Sequence, residues 1–230
     1  MGGKTRVFRM SVETVLKYGA RLMVIFMVIP LHEFAHAWAA NKMGDPTPRY
    51  QNRLNLNPFR HIDPIGGLMI FLCGFGWGRP VQVNPNNFKK PRKGMALSAA
   101  AGPIANLIAA YLGMVLYKML FYAFLKNQTE GLFWVTLLFE YFVTINIGLA
   151  VFNLIPIPPL DGSSILSYFT SYKVDRKIQQ YSFYIMIGFV VLVFSGLLDG
   201  PLGWIDDKVF WLMDKLTFWA DPIMKSIFKI

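Results

Sequence analysis

Cysteine is almost absent from these 230 residues: Cys73 stands alone, so no intramolecular disulfide framework can staple the fold. Its place in an apolar stretch predicts a buried, inert thiol. Charge is scarce as well. Asp, Glu, Lys and Arg make up 16% of the chain, against about 25% in an ordinary soluble domain, and 54% of the residues are hydrophobic. That leaves too little polar material to cover a water-facing surface. A count of 20 Phe, 12 Met and 6 Trp excludes a disordered chain. Acidic residues are outnumbered 13 to 23, for a formal net charge of +10. The basic residues sit between and beside apolar runs, not in an aromatic-interleaved stripe, which argues for lipid headgroups as their partner and against nucleic acid.

What the chain does have is length in its apolar runs. Stretches near 18–40, 95–125, 132–155 and 181–198 each approach or exceed the length that crosses a bilayer. The expected fold class is therefore an all-α polytopic membrane protein with about four transmembrane helices. The second run is longer than the hydrocarbon thickness and carries Gly102-Pro103, so tilting, projection or a break is expected there. Residues 66–75 are apolar but too short and Gly-rich to span, so they read as a re-entrant or interfacial piece. Alternation at 50–57 and 81–84 predicts short strands on either side, forming a β-hairpin at the membrane surface. Amphipathic interfacial helices are expected at both ends, over 1–17 and 203–228. Four spans put 41–94 and 162–180 on one side, and their basic residues favour the cytoplasm, although the basic residues ahead of the first span pull the other way.

Chemistry concentrates in the first span. His32 and His36, four apart in HEFAH, project from one helical face and can reach one metal ion, with Glu33 beside that ion's water. Ionisable groups in an apolar span cost about 2.5 to 3.5 kcal/mol each on insertion scales, so three within five residues need a shared reason. A catalytic zinc takes three protein ligands and an open position. A third histidine six residues after His36 is ruled out by Lys42. The remaining candidates at membrane depth are Glu140 and Asp161, with His61 in the polar RHIDP segment as the only other histidine. Glu140, one turn from Thr136 and Thr144, suits an interhelical hydrogen bond. Asp161 ends NLIPIPPLD, where prolines force the chain out of helix; such backbone at membrane depth lines a cavity or is buried by protein. An acid at that break points to a metal site, or alternatively to an N-cap for a helix starting at Gly162.

These residues match a pattern. HEFAH in an early span, AGPIAN at 101–106 and NLIPIPPLDG at 153–162 resemble the site-2 protease family of intramembrane zinc metalloproteases. RLNLNPFRHIDPIG and GWGRPVQVNP are similar to its compact branch, without a PDZ or CBS domain. The resemblance implies one Zn²⁺ per chain held by His32, His36 and Asp161, Glu33 as catalytic base, and Asn153 as a donor that offsets charge in the transition state. Asn106 and His61 would be supporting residues. It further implies a single metalloprotease domain over 1–230, with its catalytic core at 18–170, cutting within or near transmembrane helices of membrane-protein substrates. The expected location is a prokaryotic cell membrane, with the active site toward the cytoplasm. The alternative is a membrane metal-binding protein without hydrolysis, a metal transporter or scaffold. Against it, the ligands gather at one depth instead of along a path. An exposed edge at 81–84 could receive an unwound substrate as an added strand.

Overall fold

The computed structural model describes residues 14–230. The expected N-terminal amphipathic segment falls almost wholly on residues 1–13, outside the described residues. Four helices are long and apolar enough to cross a membrane: α1 (Thr14–Lys42), α3 (Pro91–Asn127), α4 (Glu130–Asn153) and α6 (Tyr172–Phe194). They are joined by the short α2 (Pro64–Cys73) and α5 (Asp161–Phe169), and followed by α7 (Asp199–Leu216) and α8 (Ala220–Phe228). The chain is an all-α polytopic membrane protein, as composition and apolar run length require.

The centre of the bundle is α3. It runs 37 residues, about 55 Å at 1.5 Å per residue, and continues through Pro103, so of the expected tilt, projection or break the last does not occur. Its buried face is made of small residues, including Ala99, Gly102, Ala109, Ala110 and Gly113. Small side chains let neighbouring backbones approach closely, which is how helices associate where burial from water offers no driving force. Accordingly α1, α4 and α5 all pack on α3. The opposite stripe, Ile104, Ile108 and Leu112, is more than half exposed at a spacing of one helical turn, as a lipid-facing surface should be.

The expected strands do not form. Residues Thr47–Tyr50 and Pro58–His61 are single helical turns, and among the described residues the only ladder contact is an isolated antiparallel bridge between Ile62 and Gly78. Local prolines and Asx caps win over the alternating pattern here: the Asn57 side chain accepts from the Phe59 N–H and commits the chain to a turn at Pro58. The short apolar piece is the helix α2, capped by Asp63 at its start and by Gly74 in the left-handed region at its end. Cys73 at that end is exposed, not buried, and among the described residues Leu68 and Leu72 on the same helix are also more than half exposed.

The C-terminal segment is also two helices instead of one interfacial helix, and it is docked on the bundle. Lys118 on α3 is 5% exposed and reaches Asp214 at 2.9 Å and Asp221 at 2.8 Å, so one buried ammonium pins α7 and α8 together. Met213, with Val209 and Phe210, packs on Ala110, Met114, Val143 and Ile147, while Leu212 and Leu216 face outward.

Candidate metal centre and its cavity

Near the end of α1, His32 and His36 lie one turn apart on the face that meets α3, and both are buried. The His32 Nδ1–H donates to Asn106 Oδ1 at 2.6 Å, and the His36 Nδ1–H donates to the Ser98 carbonyl at 2.8 Å. With both Nδ1 protons so committed, the two Nε2 atoms, 3.0 Å apart, present lone pairs. Between Ser98 and Asn106, at the same helical interval, stands Gly102. A Cβ there would lie 2.4 Å from His36 Nε2 and 2.6 Å from His32 Cε1, so only glycine lets the rings seat against α3. The motif residues of AGPIAN are thereby explained as a cradle for the two imidazoles.

Asp161 arrives from the opposite side. After α4 ends at Asn153, the stretch through Pro156, Pro158 and Pro159 holds the chain out of helix until α5 begins at Asp161. Gly162 follows because a Cβ would sit 2.3 Å from the Leu154 carbonyl oxygen and 2.4 Å from that of Ile155. The Asp161 side chain caps no helix: the N-cap position belongs to Leu160. Its Oδ2 instead lies 3.2 Å from His32 Nε2 and 3.4 Å from His36 Nε2. Tetrahedral ligands about 2 Å from one ion stand about 3.3 Å from each other, so the observed spacings fit a zinc-sized cation. The same Oδ2 is buried without a hydrogen-bond partner among the described residues, which a cation would resolve. Among the described residues this is the one cluster of three such ligands, and Glu140 and His61 do not join it.

Glu33 lies beside the cluster. Its Oε2 accepts the Val81 N–H at 2.9 Å and is 3.8 Å from the Arg53 guanidinium. A cavity of about 390 Å³ opens here, bordered by His32, Glu33, Val81, Val83, Asn153 and Asp161. Asn153 uses one amide proton on the Leu149 carbonyl at 2.9 Å, leaving its second for the cavity. Asn106 stands behind His32 and extends the chain of hydrogen bonds to Asn146 Oδ1 at 2.8 Å. His61 is fully buried and outside the cavity wall: its Nε2–H donates to the Asn55 carbonyl and its own carbonyl accepts the Arg79 N–H. Burial holds that imidazole below its usual range, with the Asn55 bond opposing and Arg53 assisting.

Sequence reading overlooked three of these neighbours. Arg53 is 4% exposed in a segment that looks like ordinary polar loop, and it bonds the carbonyls of Arg60 and Arg79. Asp45, fully buried, holds the Asn84 N–H and the Asn87 amide and so fixes the far end of the 81–84 segment. Asn146 had a legible signal, an amide in an apolar span, while burial of Arg53 and Asp45 has none at sequence level.

The family model described as Peptidase family M50 matches residues 127–193, which takes in Asn153 and Asp161. YwhC of Bacillus subtilis, named as a candidate zinc metalloprotease, is 38% identical over 205 residues, covering 88% of this chain and 89% of that protein. Rip2 of Mycobacterium tuberculosis, named in the same way, is 28% identical over 211 residues, covering 89% of this chain and 78% of that one. Rip2 of Mycolicibacterium smegmatis is 29% identical over 208 residues, covering 85% and 74% respectively. No solved structure gives a significant match. With a relative this similar along nearly its whole length, and a His-His-Asp cluster that suits zinc, the chain belongs to peptidase family M50, the site-2 protease family of zinc metalloendopeptidases.

Proposed function

We propose that this protein hydrolyses peptide bonds within or beside transmembrane segments of other membrane proteins. His32, His36 and Asp161 are the proposed zinc ligands, Glu33 the general base and Asn153 the donor to developing negative charge. The observation that carries this reading is the convergence of two imidazole lone pairs and one carboxylate oxygen, 3.0 to 3.4 Å apart, on a cavity within a bundle of membrane-length helices. Zinc in that position supplies Lewis-acid polarisation of a carbonyl and lowers the pKa of water.

The chain's own groups divide the remaining work. Asn106 and the Ser98 carbonyl keep both imidazoles in the tautomer that offers Nε2 to the ion. Glu33 takes a proton from the attacking water and passes it to the leaving amine, with the Val81 N–H fixing which carboxylate oxygen faces away. Asn153 turns its free amide N–H toward the scissile carbonyl oxygen as charge develops there. A substrate helix must surrender its own hydrogen bonds to present an extended stretch, and the 81–84 segment bordering the cavity is the proposed source of replacements. Nine basic residues in 41–94 and three in 162–180 favour a cell membrane in which the cavity opens toward the cytoplasm.

The test of the cleavage position is mass spectrometry of the products from a purified transmembrane peptide incubated with the reconstituted enzyme. Cuts inside the apolar stretch or within a few residues of it support the proposal. Cuts confined to distant soluble tails would overturn it.

A further inference from the structure

A second cavity, of about 230 Å³, lies on the other side of the segment that carries Val81. Among the described residues it is formed by Gln51, Arg53, Arg60, Arg79, Pro80 and Gln82, so three guanidinium groups and no carboxylate of theirs line one small space. Among the described residues, the acid that pairs with any of them is Glu33, 3.8 Å from Arg53 on the catalytic side. Arg53 spends its two terminal nitrogens on the Arg60 and Arg79 carbonyls, while its Nε is buried with no partner among the described residues. Burial pushes the Arg53 guanidinium below its usual range, Glu33 opposes this, and the like charge of Arg79 adds to it. Arg53 is the buried cation of the three, while Arg60 and Arg79 are exposed and solvated, and an anion in the space they share would offset the like charges of all three.

The geometry points to a site for the phosphate of an anionic phospholipid headgroup. Guanidinium forks match the oxygens of a phosphate, and the Gln82 amide, held by Gln51 at 2.9 Å through its oxygen, keeps its N–H donors for the ligand. The surroundings choose a lipid over a peptide acid. Tyr50 and Phe59, next in sequence to the lining residues Gln51 and Arg60, are 83% and 76% exposed, apolar side chains suited to the boundary between headgroups and acyl chains. The whole segment connects two membrane-length helices, α1 ending at Lys42 and α3 starting at Pro91, a placement that suits a membrane surface. Val81 and Val83 border the catalytic cavity, Gln82 borders this one and Pro80 borders both, so successive residues of this segment serve two different spaces. Pro80 borders both cavities and Arg53 lies 3.8 Å from Glu33, so the test leaves these two residues intact.

The experiment uses the full chain, reconstituted with equal phosphatidylglycerol and phosphatidylcholine, re-extracted and examined by native mass spectrometry. Wild type is compared with the double variant Arg60→Gln, Arg79→Gln; both side chains are exposed, and unchanged zinc content verifies the fold. Wild type should retain phosphatidylglycerol over phosphatidylcholine, and the variant should lose that preference by about tenfold or more. Added inorganic phosphate should compete with the retained lipid in wild type. Equal retention by the two proteins, or protection from heat by inorganic phosphate with no lipid preference, overturns the assignment to lipid. So does a variant that keeps its lipid but loses cleavage only of peptides with an acid near the cut, since the arginines would then be reading substrate.

Discussion

Asn106 receives the Nδ1–H of His32 at 2.6 Å across 74 residues of chain, and this contact, with that of His36 to Ser98, ties the first span to the second at the metal cluster. The imidazole would otherwise be free to rotate or to shift its proton to Nε2, the atom turned toward Asp161. Asn106→Ala should therefore weaken zinc binding by about 10- to 100-fold. It should also cost about 1 to 3 kcal/mol by leaving the Asn146 Oδ1 unpaired in the bundle. Chelator competition measures the first and thermal unfolding the second.

Gly102→Ala carries a steric expectation of a different kind. The added methyl would lie 2.4 Å from His36 Nε2, against ring atoms that have nowhere to retreat between α1 and α3. Zinc content should collapse while helical circular dichroism stays near wild type. A variant that binds zinc normally would show that the two spans separate readily, contrary to the packing described.

Asp45 should act on the segment across the cavity, not on the metal. Burial tends to raise its carboxyl pKa, but hydrogen bonds from Thr47, Asn87 and Asn84 outweigh this and hold it below the ordinary value of 3.8. The folded state thus binds fewer protons than the unfolded one, so this contribution is complete above pH 3.8 and fades as pH falls through the lowered value. Asp45→Ala should cost about 1 to 3 kcal/mol locally. Hydrogen exchange at 81–88 should accelerate in the variant at neutral pH, and in wild type only in strong acid, with zinc retained in the variant.

Val83→Pro tests whether the segment receives substrate backbone. The Val83 N–H has no hydrogen bond among the described residues, so proline removes a donor that nothing in the fold uses. Cleavage of a helical transmembrane peptide should fall by at least about tenfold, the worth of one to two hydrogen bonds, with zinc content unchanged. Wild-type cleavage would refute strand addition at this position and leave the zinc assignment standing.

The bundle was legible because membrane spans announce themselves by length, and the cluster because His32 and His36 obey a helical interval while Asp161 follows a Pro-rich break. The surface segment was not. Alternation around Leu54 and Val83 suggested strands, yet Asn57-Pro58 and Asp63-Pro64 each start a helical turn, and cap chemistry decided the local structure. The division of the C-terminal segment into two helices docked on the bundle is hidden for another reason. Lys118 lies inside an apolar run, and nothing in the sequence pairs it with Asp214 and Asp221, about a hundred residues away. Arg53 and Asp45 share that difficulty: a buried charge is visible only once its partners are.

The most direct test measures zinc per chain and peptide hydrolysis on the same preparations of wild type, Asp161→Ala and Glu33→Gln. Wild type should hold one zinc and cleave. Asp161→Ala should lose both the metal and the activity, and Glu33→Gln should keep the metal and lose the cleavage. Full zinc in Asp161→Ala, or substantial cleavage by Glu33→Gln, would contradict the assignment of a His-His-Asp zinc centre with Glu33 as its base.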